Sequence, residues 1–343
     1  MTRIVVDAMG SDNYPTPDVQ GAVMAAREYG VEIFLVGDEA KIKSVLDPMN
    51  IGRLPIRVVH APEMLTMEDK GIALALKARR ANAKNSMAIG IDLVKHGEAE
   101  VFVTAGNTGA CVATSYFRLG TIEGVDLPAL VGPFPTATGK CLVLDIGANP
   151  NCKPLNLQQF AIMGSVYAER VRALKNPRIG LISNGEEAGK GSELVKEAYP
   201  LLADANINFV GNVEGKEIFN GAVDVAITDG FTGNVFLKAT EAVSKLLIEK
   251  IRETIMGGNL PTKIGGALVR PALGSMRKML DPSQEGAAPL LGVNGLVFIG
   301  HGRSDAQAMQ NAVRVAKEAV ESNLLDAMRS AIEESLKKQE TSG

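Results

Sequence analysis

Short apolar, β-branched runs alternate along this chain with longer stretches of helical periodicity, a pattern that predicts parallel strands joined by crossover helices. Strands are predicted near residues 4–6, 33–36, 56–59, 101–103, 142–144, 179–182, 223–227 and 296–299. Between them, "PDVQGAVMAAREYG" opens on Pro17 and Asp18 and closes on Gly30, in keeping with helix start and stop preferences. "LQQFAIMGSVYAERVRAL" repeats apolar residues on one helical face, and residues 304–343 read as one or two amphipathic helices with a polar tail. No solenoid period, low-complexity linker or sharp composition break divides the chain. The pattern predicts one compact α/β unit over residues 1–343, with two lobes as its simplest internal division.

The segments that follow the strands bear most on function. "VVDAMGSDNYP", "VTAGNTGA", "LDIGANPNCKP", "LISNGEEAGKG", "ITDGFTGN" and "FIGHGRSDAQ" each run from an apolar strand into glycine with Asp, Asn, Thr, Ser, Lys or His. In an open parallel sheet the carboxyl ends of the strands share the edge at which ligands bind. Glycine lets backbone N–H groups approach a ligand, and a helix starting after the loop adds a partly positive end that favours anions. Taken singly, each loop is as well explained by turn chemistry. Together, six of them on one edge predict a polar, anion-accepting crevice.

"ISNGEEAGKGSEL" resembles a phosphate-binding P-loop with the wrong count, since Gly185 and Gly189 stand one residue too close and Gly191 follows Lys190 where the metal-binding hydroxyl belongs. Lys190 is either a solvated lysine at a helix start or the holder of an anion. The second reading has a physical basis, because an unpaired cation near a helix N-terminus costs about 0.3 kcal/mol or more. Glu186 and Glu187 either hold Lys190 or favour the helix start. His301, in Gly-His-Gly, fits a turn and a functional position equally. Cys111 and Cys152 lie near candidate loops without a histidine nearby in sequence, which disfavours a covalent cysteine mechanism. No G-x-G-x-x-G with its acidic partner follows a strand, so a dinucleotide site of the usual kind is not expected. Nothing in the spacing of Asp7, Asp12, Asp145 and Asp229 demands a metal, and no cofactor is expected.

Composition narrows the class. With 343 residues, 46% of them hydrophobic, the chain has material for a sizeable core. A formal net charge of −3 provides no overall basic field for nucleic acid. Three cysteines without C-x-x-C spacing fit a reducing compartment. The first residues run straight into a strand, and no apolar run reaches the ~18 residues of a membrane span, so a cytoplasmic location is expected, with contact to a membrane surface still open.

The loops, read in order with "DIGANPNCKPLNLQQFAIMGSVYA", "NGEEAGKGSELVKEAYPLL", "GNVEGKEIF", "DGFTGNVFLK" and "LLGVNGLVFIGHGRS", resemble the successive signatures of the PlsX phosphate acyltransferases over residues 5–308. The resemblance implies transfer of a long-chain fatty acyl group from acyl carrier protein to inorganic phosphate, giving acyl phosphate for bacterial phospholipid synthesis. It also implies a three-layer α/β/α sandwich with a mostly parallel sheet, similar to the isocitrate and isopropylmalate dehydrogenases, in a homodimer peripherally associated with the membrane near the downstream acyl-phosphate-using acyltransferase. Ser11 and Asn151 depart from the family pattern, which usually has glycine at the first position and often an acid at the second. Carried onto this chain, the resemblance implies Lys190 and Asn234 as catalytic donors for phosphate and the developing oxyanion. Asn107, Thr108 and Gly109 would cradle phosphate, with His301 lining the site. Asp7, Gly10, Asp145, Asn149, Asn184, Glu186, Asp229 and Gly233 are the further substrate-binding positions implied.

After Gly230, Val243, Leu247, Ile251 and Ile255 stand four residues apart, a helical stripe. "TKIGGALVRPALGSMRKML" then carries Lys263, Arg270, Arg277 and Lys278 without an acid. Basic and apolar residues together predict a membrane surface, an acidic partner or a dimer helix with a solvated face. With the resemblance, residues 231–280 are expected to form a protruding helical hairpin for dimer, carrier-protein or membrane contact. In this reading Arg270, Arg277 and Lys278 steer the carrier protein, and Leu260 and Ile264 touch lipid. Three other functions compete: a phosphate acetyltransferase-like enzyme using short acyl-CoA, a catalytically silent scaffold for lipid enzymes, and a nicotinamide-dependent dehydrogenase suggested by fold analogy alone.

Overall fold

The computed structural model describes residues 1–66, 68–80, 82–279 and 284–342. In chain order the strands are β1 (Arg3–Asp7), β2 (Glu32–Gly37), β3 (Ile56–His60), β4 (Val101–Thr104), β5 (Ala129–Thr136), β6 (Gly139–Leu144), β7 (Ile179–Ile182), β8 (Phe209–Val213), β9 (Val225–Ile227), β10 (Ala287–Leu291) and β11 (Leu296–Gly300). They form one sheet in the order β3-β2-β1-β4-β11-β10-β5-β6-β9-β7-β8. All eight expected strands are present. The three that the hydrophobic pattern missed are β5, β8 and β10. Of these, β5 carries Pro133 and Pro135 and β10 carries Pro289, residues that argue against an interior strand. Yet β5 and β10 are the antiparallel centre of the sheet, β10 pairing with β11 on one side and β5 on the other, and β5 with β6.

That centre reverses direction. β1, β2, β3, β4 and β11 are parallel to one another, as are β6, β7, β8 and β9. Three antiparallel pairings separate the two sets, so they run in opposite senses. The expectation that six loops meet on one edge is corrected accordingly. The loops after β1, β4 and β11 leave one end of the sheet, and those after β6, β7 and β9 leave the other.

The helices are α1 (Thr16–Tyr29), α2 (Glu39–Leu46), α3 (Gly71–Arg79), α4 (Ser86–Lys95), α5 (Thr108–Leu119), α6 (Pro154–Arg170), α7 (Glu193–Asp204), α8 (Gly215–Asn220), α9 (Gly230–Gly257), α10 (Leu260–Met279), α11 (Ala306–Glu321) and α12 (Leu324–Ser342). Alternate strand residues face two separate cores, as the two-residue period of a strand requires. Ile4, Val6, Val101, Val103 and Leu144 pack with α1, α6, α11 and α12. Val5, Phe102, Val143 and Ala226 pack with α4, α5 and the start of α9. Helices on both faces of one sheet give the three-layer α/β/α sandwich expected. α1 ends at Gly30 in the left-handed conformation (φ +61°), the stop its sequence predicts. The expected polar tail is helical, because α12 continues to Ser342.

α9 and α10 make the expected hairpin. Its apolar stripe lies largely in solvent, with Val243, Leu247 and Ile251 exposed. Gly266 lets α10 come close to Ile255, where a Cβ would collide with that side chain. Leu260 and Ile264 at the tip are 71% and 54% exposed. Arg270, Arg277 and Lys278 fall on α10, but their side chains lie outside the described residues. Among the described residues, no helix is long and apolar enough to cross a membrane.

Candidate active site

At the first sheet end, the loops of β1 and β4 are sewn together by a buried carboxylate. Asp7 Oδ1 accepts from the Met9 N–H at 3.0 Å, and Oδ2 from the Thr104 hydroxyl at 2.8 Å. The same hydroxyl oxygen accepts from the Gly106 N–H at 3.0 Å. Gly10 fits this junction because a Cβ would stand 2.8 Å from both Ala105 N and Thr104 Oγ1. Burial pushes the Asp7 carboxyl up, against the hydroxyls of Thr104 and Ser86. Beside it the Ser11 hydroxyl donates to buried Asp18 at 2.6 Å. Burial pushes Asp18 up to about 7, against the Ser11 hydrogen bond and helped by the Asp7 charge.

Asn107 caps α5, its Oδ1 accepting from the Ala110 N–H at 3.0 Å. Its amide donates to the Thr66 and Asp69 carbonyls at 2.9 and 3.1 Å. The side chain is thus spent on positioning, which leaves the half-buried Thr108 and exposed Gly109 at the N-terminus of a 12-residue helix. His301 is exposed, and its Nδ1 accepts from the Arg303 N–H at 3.1 Å.

The second end is held by Asp145. Its Oδ1 accepts from the N–H groups of Leu130, Gly147 and Ala148 at 3.1, 3.0 and 2.9 Å. Its Oδ2 accepts from the Asn149 N–H at 2.7 Å and the Asn149 amide at 2.9 Å. Burial pushes this carboxyl up, against those donors. The start of α9 lies directly on the loop. Gly230 N donates to Asn149 O at 2.8 Å, and a Cβ on Gly233 would collide with the Asp145 carbonyl oxygen. Asp229 caps the helix, accepting from the Thr232 N–H at 2.9 Å and hydroxyl at 2.7 Å. Asn234, one turn on, is exposed against Gly147, and among the described residues its amide has no hydrogen-bond partner.

Because β7 adjoins β9 in the sheet, the Lys190 loop lies next to this helix start. α7 begins at Glu193 behind the cap Ser192, so Lys190 sits in the loop before the helix and not in its first turn. Lys190 is exposed, as is Asn184, and no carboxylate among the described residues pairs with its amine. Glu186 does not hold it. Glu186 pairs instead with Lys216 at 3.1 Å, beside Glu214. The Glu187 carbonyl shapes the turn by accepting from the Lys190 N–H at 2.9 Å and the Asn212 amide at 2.8 Å.

Two residues here escaped sequence reasoning. Ser183 Oγ and Asn212 Oδ1 are buried without a hydrogen-bond partner among the described residues. Ser183 lay inside the glycine-rich motif, where its type is unremarked, and Asn212 comes from β8, a strand the pattern did not reveal. The cysteines are unsuited to nucleophilic work, since burial pushes Cys111 up to about 12 and Cys152 up to about 11. Among the described residues, no hydrogen bond or ion pair joins the two groups of loops.

Helix N-termini, exposed amides and an unpaired lysine at the strand ends of an α/β/α sandwich suit an anionic ligand. The fold is similar to that of a phosphotransacetylase from Streptococcus pyogenes, with a TM-score of 0.60 at 15% identity, over 93% of this chain and 94% of that one. A 4-hydroxythreonine-4-phosphate dehydrogenase from Klebsiella pneumoniae also shares it, with a TM-score of 0.53 at 13% identity, over 92% of this chain and 98% of that one. These likenesses show the fold alone. The sequence goes further: residues 2–327 match the family model described as fatty acid synthesis protein, and the chain belongs to that family. It is 46% identical over 331 residues to a phosphate acyltransferase of Pelotomaculum thermopropionicum, covering 96% of this chain and 95% of that relative.

Proposed function

We propose that the protein transfers a long-chain fatty acyl group from the thioester of acyl carrier protein to inorganic phosphate. A phosphate oxygen attacks the thioester carbonyl carbon, a tetrahedral oxyanion forms, and the C–S bond breaks. The thiolate leaves with the proton that monohydrogen phosphate gives up, so the products are acyl phosphate and a carrier thiol. Phosphate is already ionised at neutral pH, and no strong general base is needed.

The observation that carries this reading is the pair of exposed, unpartnered donors on adjacent strand loops, Lys190 and Asn234. A lysine without an acidic partner meets the negative charge of phosphate or of the oxyanion, and the amide orients the thioester. Asp7, Asp145, Asn149, Gly10 and Gly233 act by shaping loops, since their polar atoms or close approaches are taken up within the protein. The exposed apolar tip at Leu260 and Ile264 is suited to lipid, which would hold the protein peripherally at the cytoplasmic face of a membrane, close to the acyltransferase that uses its product. The exposed stripe of α9 suits a second copy in a homodimer.

The test is formation of acyl phosphate, trapped as hydroxamate, from palmitoyl acyl carrier protein and phosphate, with palmitoyl-CoA and acetyl-CoA alongside. Product from the carrier thioester is expected. Product from acetyl-CoA alone would favour a short-chain phosphotransacylase, and none at all from folded protein would favour a scaffold.

A further inference from the structure

Residues 70–84, "KGIALALKARRANAK", hold Lys70, Lys77, Arg79, Arg80 and Lys84 and no acid. Their centre is α3, which buries Leu74 and Ala78. On its outer side Ile72 and Leu76, four residues apart, are 82% and 64% exposed. Lys77 pairs with Asp69 at 2.5 Å. Among the described residues Lys70, Arg79, Arg80 and Lys84 have no acidic partner.

This helix is fastened to α5 at both ends. The Asn107 amide, capping α5, donates to the Thr66 and Asp69 carbonyls just before α3. In the last turn of α5, Arg118 donates to the Arg80 carbonyl at 2.7 Å. α3 therefore runs alongside α5 in the same direction, its start beside the turn of Thr108 and Gly109. Two exposed aliphatic side chains within unpaired cations fit a protein surface that is acidic with an apolar centre. A nine-residue helix offers too little apolar length for stable lipid contact, for which the hairpin is better built.

We propose that α3, through Ile72, Leu76, Arg79 and Arg80, is the docking face for the acidic acyl carrier protein. The inference rests on the acyl-transfer reading above.

Carrier binding is measured directly, by fluorescence anisotropy of labelled acyl carrier protein on the full chain, beside turnover with carrier and with acyl-pantetheine. Arg79→Glu with Arg80→Glu raises Kd by ~10-fold or more and flattens its salt dependence. Turnover with acyl-pantetheine stays within ~2-fold, because the small thioester never needs the face. Ile72→Ser with Leu76→Ser gives the same split, so a loss peculiar to one variant's folding is recognised. Unchanged Kd in both variants overturns the proposal, as does equal loss of activity with both thioesters. A carrier defect produced only by charge reversal at Arg270, Arg277 and Lys278 moves docking to the hairpin and also overturns it. So does loss of binding to anionic phosphatidylglycerol vesicles with carrier affinity intact. Failure of the acyl-transfer reading looks different: wild-type protein makes no acyl phosphate from either thioester, whatever the carrier Kd.

Discussion

At the end of β1 the Asp7 carboxylate accepts from one backbone N–H and the Thr104 hydroxyl, whereas at the end of β6 the Asp145 carboxylate accepts from four backbone N–H groups and a side-chain amide. Both are buried acids at the end of a strand, Asp7 its last residue and Asp145 the one after, and both close a loop against glycine. The second closure is denser and has a 28-residue helix set on it. The exposed groups differ as well: the first end offers a helix N-terminus and His301, the second an unpaired amine and amide. The comparison teaches that buried acids build these two loops, and under the proposed acyl transfer the chemistry falls to exposed donors, Asn234 on the helix set against Asp145 and Lys190 on the neighbouring loop.

Adding a methyl group to each closure is the harshest way to break the comparison. Gly233→Ala is expected to cost ~3 kcal/mol or more, because the Asp145 backbone and α9 cannot both stay in place. Gly10→Ala should cost less, ~1–3 kcal/mol. Equal losses in urea denaturation would remove the difference in density between the ends. Asp145→Ala comes next, at ~3 kcal/mol, since it strands buried N–H groups, and Asp7→Ala is expected to cost less in the same assay.

A pH series sharpens the first end. Asp18 is held up at about 7. A carboxyl raised in the folded state contributes stability that is fully present below its unfolded value, near pH 4, and lost as pH rises through about 7. Asp18→Asn should therefore be more stable than wild type at pH 8, by on the order of 2 kcal/mol, and gain nothing at pH 4. A constant difference across that range would contradict the assignment. The smallest effect is expected at His301→Ala, which should lower turnover by less than ~3-fold, since no strong base is required.

The parallel strands and their helices were legible because buried strands and amphipathic helices write their periods plainly into the sequence. The antiparallel centre was not, because Pro133, Pro135 and Pro289 disguise β5 and β10 as loops. That omission hid the reversal of the second half-sheet and produced the expectation of a single edge. At the site, the miscounted glycine motif pointed to Lys190 and the family resemblance to Asn234, but local sequence could not show that Glu186 turns to Lys216. Nor could it show that Asn107 is consumed in fastening α3, which depends on carbonyls some 40 residues away in sequence.

The central claim is that exposed donors act and buried acids support them. The most direct test is acyl phosphate production by Lys190→Ala, measured as hydroxamate from palmitoyl acyl carrier protein and phosphate, with the melting temperature taken on the same sample. A loss of ~100-fold or more with an unchanged melting temperature is predicted. Turnover comparable to wild type in the folded variant would contradict the account.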